Sequence, residues 1–282
     1  MGVSLSAFAQ ETTYSTTLSD PDVVYPGYIS LNAMTVDVGF NNMSGASLWS
    51  IGVDMLYPIN EKIRIEALAI ISLLSLEKDG LPFLLSTGAE YSLSSKTKAK
   101  QVPVLLSFNW DTDYIKGTET QTWSSVKLPA HVKYDLVARA GLYTRHSALE
   151  YEEGFTTYDI TGLTHAGIYA GVGYTMSSYL NAVTSDGYEF AAGRMIRPYF
   201  DIMILPTSVD LMSGGTQVKT VKENLGWRLG TVLVSKPFTR AENFDRKIMR
   251  LGDFAFRLDV GNRPFEGFFI TTGISYSLKK FK

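Results

Sequence analysis

The sequence predicts an all-β chain: an antiparallel transmembrane β-barrel of about twelve strands, with roughly 10–14 as the range. Three observations predict it. Segments of about ten residues alternate apolar and polar side chains between turn signals. In 48–57, Trp49, Ile51, Val53, Met55 and Tyr57 share one parity and Ser50, Gly52 and Asp54 the other. Phe268, Ile270, Thr272, Ile274 and Tyr276 alternate in the same way with Phe269, Thr271, Gly273 and Ser275. Successive side chains of a strand point to opposite faces, so such a strand suits a wall between lipid and water. Second, the longest apolar run, 63–76, is broken by Arg64 and Glu66. It is also shorter than the ~20 residues a spanning helix needs. Third, aromatic residues make up 12% of the chain, with 16 Tyr and 15 Phe. Tyr and Trp favour membrane–water interfaces.

The remaining composition narrows the class. The mean hydropathy of +0.02 excludes a helical membrane protein. No cysteine is present, which excludes disulfides and thiolate metal sites. A formal charge of −2 gives no basic footprint for nucleic acid.

Residues 1–9 end in Ala7-Phe8-Ala9 before Gln10, a small-x-small pattern that reads as the remnant of a signal peptide. Residues 10–26 are rich in Ser, Thr, Asp and Pro and read as a periplasmic leader. The barrel domain is 27–282. Its predicted strands are 28–40, 48–57, 62–75, 83–93, 102–110, 123–134, 136–144, 163–176, 194–205, 225–235, 249–260 and 265–278. Segment 62–75 is apolar on both parities over half its length, so a buried helix competes there. A Lys-rich turn at 94–100 and a tight turn at Asp135 separate neighbouring strands. With a periplasmic N-terminus, the turns at 58–61 and Asp135 fall inside, and the longer loops 111–122, 145–162 and 206–224 fall outside. Segments 177–193 and 236–248 are long on the periplasmic side and read as strand extensions or a short helix.

The inward parity carries the charges. Arg64, Glu66, Glu90, Arg197, Asp201, Arg228, Asp253 and Arg257 are expected to form a mixed-charge network in the lumen. Asp54, Lys127, His131, Lys133, Arg139 and Asp259 share that parity. An unpaired buried charge is very costly, so opposite charges should pair across so narrow an interior. Trp49, Tyr57, Tyr91, Trp110, Tyr134, Tyr174, Trp227 and Tyr276 sit toward the ends of apolar faces and are expected to form girdles at the two interfaces. Arg145-His146-Ser147 superficially offers a nucleophile and base, but adjacent residues of an extended chain point to opposite faces. No catalytic residue, metal site or cofactor site is expected.

The alternating strands, the Ala-Phe-Ala-Gln site and the aromatic C-terminal strand resemble an outer-membrane β-barrel of Bacteroidota type. Ile270, Ile274, Tyr276 and Leu278 keep the phase of such a strand, while Phe281 falls on the other parity. The resemblance implies a bacterial outer-membrane location. It also admits a barrel accessory to type IX secretion or gliding. The expected partners are outer-membrane lipid and another envelope protein, with no nucleic acid. Three functions stay open: a non-enzymatic structural or partner-binding barrel in an envelope assembly, a narrow channel for small polar solutes, and a lipid-modifying enzyme.

Overall fold

Segments of period two, each with one wholly apolar face, pair edge to edge until no edge is left. The computed structural model describes residues 14–17, 27–40, 47–75, 81–113, 118–153, 156–184, 189–213, 216–240 and 254–281. The described regular elements are all strands: β1 (Tyr14–Thr17), β2 (Gly27–Gly39), β3 (Ser47–Pro58), β4 (Ile63–Ser75), β5 (Phe83–Asp113), β6 (Thr118–Glu153), β7 (Thr156–Thr184), β8 (Glu189–Ser213), β9 (Thr216–Arg240), β10 (Phe254–Arg263) and β11 (Gly267–Phe281). Each of β2 to β11 pairs antiparallel with its sequence neighbour, and β11 pairs with β2. The result is a closed barrel of ten strands. The short β1 lies outside the ring and pairs with the far end of β7, Tyr14 facing Thr184. It is the described part of the expected leader; residues 1–9 lie outside the described residues.

Ten strands replace the twelve expected, because two predicted turns are strand. The expected turn at 94–100 is continuous β5, with Lys96 opposite Tyr134 and Lys100 opposite Ala130. The expected turn at Asp135 is mid-β6, with Asp135 between Ser95 and Thr175. Charged residues in both places mimic turn chemistry, but their backbone groups are held by neighbouring strands. The helix that competes for 62–75 does not form: Leu68 and Ile70 are apolar on the inner parity because they pack inside the barrel. Segments 177–193 and 236–248 contain extensions of β7, β8 and β9, and 249–253 lies outside the described residues.

Merging the strands also moves a loop. We call "lower" the end where β2 starts and β11 finishes. It carries the β3–β4 turn and the β5–β6, β7–β8 and β9–β10 connections. The expected outer loop 111–122 is therefore the tip of the β5–β6 hairpin at the lower end. It lies opposite the segments 145–162 and 206–224, which are largely strand at the upper end.

Outside and inside divide cleanly along the belt, whereas toward the lower end Ala130, Val132, Ser178 and Leu180 are buried on the outward parity too. The outward positions of β4 are Ile63, Ile65, Ala67, Ala69, Ile71 and Leu73, and those of β8 include Ile196, Phe200, Ile202 and Ile204. Trp49, Val53, Ala170, Val172, Phe256 and Ile274 are exposed on this wall, with Ile270 half-exposed. The inside holds two apolar clusters. Tyr28, Leu56, Met195, Tyr199, Val232, Val234 and Ala255 form one near the lower end. Leu68, Ile70, Leu84, Tyr143, Tyr169, Met203, Leu205 and Phe269 form the other, nearer the upper end. Gly88 and Gly230 make room for two of these rings. A Cβ on Gly88 would collide with the Tyr169 hydroxyl, and one on Gly230 with the Tyr199 ring.

Candidate functional site

Between the two apolar clusters the lumen is crossed by ion pairs. Arg139 of β6 is their centre. Its guanidinium reaches Glu66 of β4 at 2.7 Å, Glu90 of β5 at 2.7 Å and Asp201 of β8 at 3.0 Å. Its other face lies 3.9 Å from the Tyr199 ring centroid, within cation–π range. Five donor groups in a rigid planar fork let arginine satisfy several carboxylates at once. Arg197 bridges Glu66 at 3.3 Å and also bonds Glu90. Arg228 donates to Asp201 at 2.7 Å, and Arg64 lies 3.3 Å from Glu90. The Tyr169 hydroxyl donates to Glu66 at 2.7 Å.

On the β10 side, Arg257 pairs with Asp54 at 2.8 Å and donates to the Tyr199 hydroxyl at 2.8 Å. Tyr199 in turn donates to Asp259 at 2.5 Å. Lower down, Asp135 faces Arg64 at 3.5 Å and Lys133 at 3.8 Å. Among the described residues, the six cations Arg64, Lys133, Arg139, Arg197, Arg228 and Arg257 thus equal in number the six carboxylates Asp54, Glu66, Glu90, Asp135, Asp201 and Asp259. Such balance matters because charges removed from water are tolerable only when paired.

A second knot lies toward the upper end, beside the β10–β11 turn. Arg263 binds Asp37 at 2.7 Å and Glu266 at 2.7 Å. Arg145 lies 3.1 Å from each of the same two carboxylates. Ser147 donates to Glu266 at 2.9 Å, and His165 Nε2 lies 3.5 Å from it. Burial pushes the Glu266 carboxyl up, but Arg145 and Arg263 outweigh it and hold the group well below the usual carboxylate range. Glu266 sits in the turn joining β10 to β11, where Phe265 has φ 60° and Gly267 φ 66°. That conformation is costly for a phenylalanine. The turn is held by the Phe265 amide donating to Glu223 at 2.6 Å and by the bonds to Glu266.

Seven of the eight residues expected in the lumen are among these groups: Arg64, Glu66, Glu90, Arg197, Asp201, Arg228 and Arg257 point inward into ion pairs. Asp253 lies outside the described residues. Of the others on that parity, Lys127 is exposed and belongs to the β5–β6 hairpin beyond the barrel. Sequence reasoning missed Asp37, Asp135, Arg145, Arg263 and Glu266. Asp37 shares the parity of Thr35 and Gly39, so alternation alone could have found it. The others fell in or beside segments read as turns and loops.

Those aromatic residues expected at interfaces whose side chains are described lie on the outer wall. Tyr57 and Tyr91 flank the β3–β4 turn at the lower end, opposite Ile65 and Ile63. Tyr134 and Tyr174 have ring centroids 6.2 Å apart, and Tyr276 lies 6.1 Å from Phe254. Trp227 packs 6.5 Å from Phe200, toward the upper end. Trp49 is different. Its indole donates at 3.1 Å to the carbonyl of Ala33, where a bulge in β2 breaks the ladder to β3. Trp110 belongs to β5, and its side chain is outside those described.

His146 points outward, stacked 5.5 Å from Phe83, with Nδ1 3.0 Å from the Thr164 hydroxyl. Ser147 points inward to Glu266, so the two do not form a nucleophile–base pair. Among the described residues no group of His, Asp and Glu is arranged to hold a metal ion. No family model, curated protein or solved structure matches the chain.

Proposed function

We propose that the chain is an integral outer-membrane barrel with a sealed lumen and a non-catalytic role, a rigid scaffold that displays its strand extensions to a partner in the cell envelope. One observation carries this reading: the sides of the wall are reversed relative to a water-soluble barrel. The outward positions of the ten strands, from Leu31 to Val38 on β2 round to Phe268–Tyr276 on β11, hold no Asp, Glu, Lys or Arg along the apolar belt. The charges are inside. Soluble monomers rarely expose contiguous apolar patches above a few hundred Å². A closed barrel is also the only β structure that leaves no backbone group unpaired in lipid.

The sealed lumen is supported by the stacking of apolar cluster, ion-pair layer, second apolar cluster and upper knot. The display role is supported by strand length. A membrane crossing needs ~9–11 residues, whereas β5 has 31 and β6 has 36. Scaffold-borne extensions are where binding residues are usually displayed. The test is a planar bilayer recording on the full chain, with insertion verified by protection from protease. Inserted protein without steady single-channel current is the expected result. Steady ohmic currents would make the lumen the functional part and favour a channel for small polar solutes.

A further inference from the structure

We propose that Lys96, Lys98 and Lys100 of β5, beside Tyr134 of β6, form a binding site for the phosphate-bearing headgroups of anionic lipids at the lower rim of the barrel. The inference rests on the reading of the chain as a membrane barrel.

The site is made by a change of phase. Down to Leu93 the outward positions of β5 are odd: Phe83, Leu85, Tyr91 and Leu93 are exposed on the wall. Between Ser92 and Ser94 the register with β6 slips, so that Ser92 faces Val137 and Ser94 faces Leu136. A bulge of this kind inserts one unpaired residue and turns the strand's parity over. From there the even positions continue the outer wall, and these are Ser94, Lys96, Lys98 and Lys100. Without the slip the three lysines would fall on the opposite face.

Contacts fix the direction independently. Directly opposed residues of an antiparallel pair share a face, and Lys96 opposes Tyr134. The Lys100 ammonium lies 5.1 Å from the Tyr134 ring centroid. Tyr134 in turn contacts Tyr174, which is exposed on the wall beside Val172. The lysines therefore begin where the apolar belt ends, next to two rings with phenolic hydroxyls.

Charge complementarity identifies the occupant. No Asp or Glu occurs in 91–110 or in 120–134. Of the carboxylates bordering these ranges, Glu90 and Asp135 are buried inside in ion pairs, and Asp111 and Glu119 lie toward the tip of the β5–β6 hairpin. All three lysines are exposed, and none is in an ion pair among the described residues. A strip of ammonium groups abutting an apolar wall faces two chemistries at once. Acyl chains cover the wall and headgroup phosphates meet the lysines, whose stems reach the interface.

The test uses the full chain reconstituted in phosphatidylcholine vesicles with a trace of spin-labelled phosphatidylglycerol or spin-labelled phosphatidylcholine. The motionally restricted fraction gives the relative association of each lipid with the barrel. Wild type should prefer the anionic lipid by roughly five-fold, the factor that one lysine near an anionic surface supplies. The preference should weaken as salt is raised. The K96Q/K98Q/K100Q variant should lose it, and K96R/K98R/K100R should keep it. Equal association of both lipids with wild type, or a preference that survives the glutamine variant, overturns the lipid site and leaves the barrel reading standing. Absence of a restricted component with either lipid overturns both.

Discussion

Arg139 holds together carboxylates from three strands, Glu66, Glu90 and Asp201, that would otherwise repel one another. Truncating one partner of a buried ion pair costs about 3–5 kcal/mol, because the remaining charge is left unpaired. Arg139→Met should therefore lower unfolding stability by at least that amount, measured by urea titration in detergent micelles. The double variant Arg139→Met with Glu66→Gln should recover part of the loss. Glu266 gives a pH signature. Its folded carboxyl titrates well below its unfolded value, about 4.3. Its contribution is then complete above the unfolded value and is lost as pH falls through the depressed folded one. In a background carrying His165→Gln, which removes the imidazole 3.5 Å from the carboxylate, the stability gap between Glu266 and Glu266→Gln should stay constant from pH 8 to about 5. It should begin to close below about 4.3 and vanish only in stronger acid. At this scale much of the lumen was legible, since alternation assigns a face to Arg64, Glu66, Glu90 and Arg197 without any structure. The partners were not legible. Nothing in a strand's own pattern says that Arg145 on β6 meets Asp37 on β2 or Glu266 in a distant turn, because such contacts depend on how the barrel closes.

The strands show where alternation succeeds and where it misleads. β4 reads correctly from parity even though Leu68 and Ile70 make both its faces apolar, because the outer face is apolar without exception. β5 and β6 mislead for a physical reason. Lys96, Lys98 and Lys100 resemble a solvated turn, and the bulge at Ser92/Ser94 shifts the phase there, so a single-period reading stops at Leu93. Asp135 resembles a turn residue but is inward on an unbroken strand. Two false turns add two strands, which is the whole difference between twelve and ten. The outer face also fixes an expected cost. Val172 is 53% exposed on β7, between Ala170 and Tyr174. Val172→Arg should reduce folding stability in lipid vesicles by about 2–4 kcal/mol if the site lies near the midplane. The same change at Val232, which is fully buried in the lower cluster, would instead disrupt internal packing and impair folding in micelles and vesicles alike.

For the molecule as a whole, the decisive property is which side of the wall is apolar. The ion pairs inside and the uncharged belt outside belong to one design: a closed sheet with its polar face turned in. The upper end carries the ion-pair knot of Arg145, Arg263, Asp37 and Glu266, and the lower end carries the long β5–β6 hairpin, so the two ends are chemically unlike. The most direct measurement is a nitroxide scan of the outward positions of β4, one label at a time at Ile65, Ala67, Ala69 and Ile71, in the full chain reconstituted into vesicles. Collision with dissolved oxygen reports lipid, and collision with a water-soluble nickel chelate reports water. The expected result is strong oxygen relaxation at all four positions, greatest in the middle of the series, with the chelate excluded throughout. Free access of the chelate to Ala67 and Ala69 would show that the apolar wall faces water and would contradict the account.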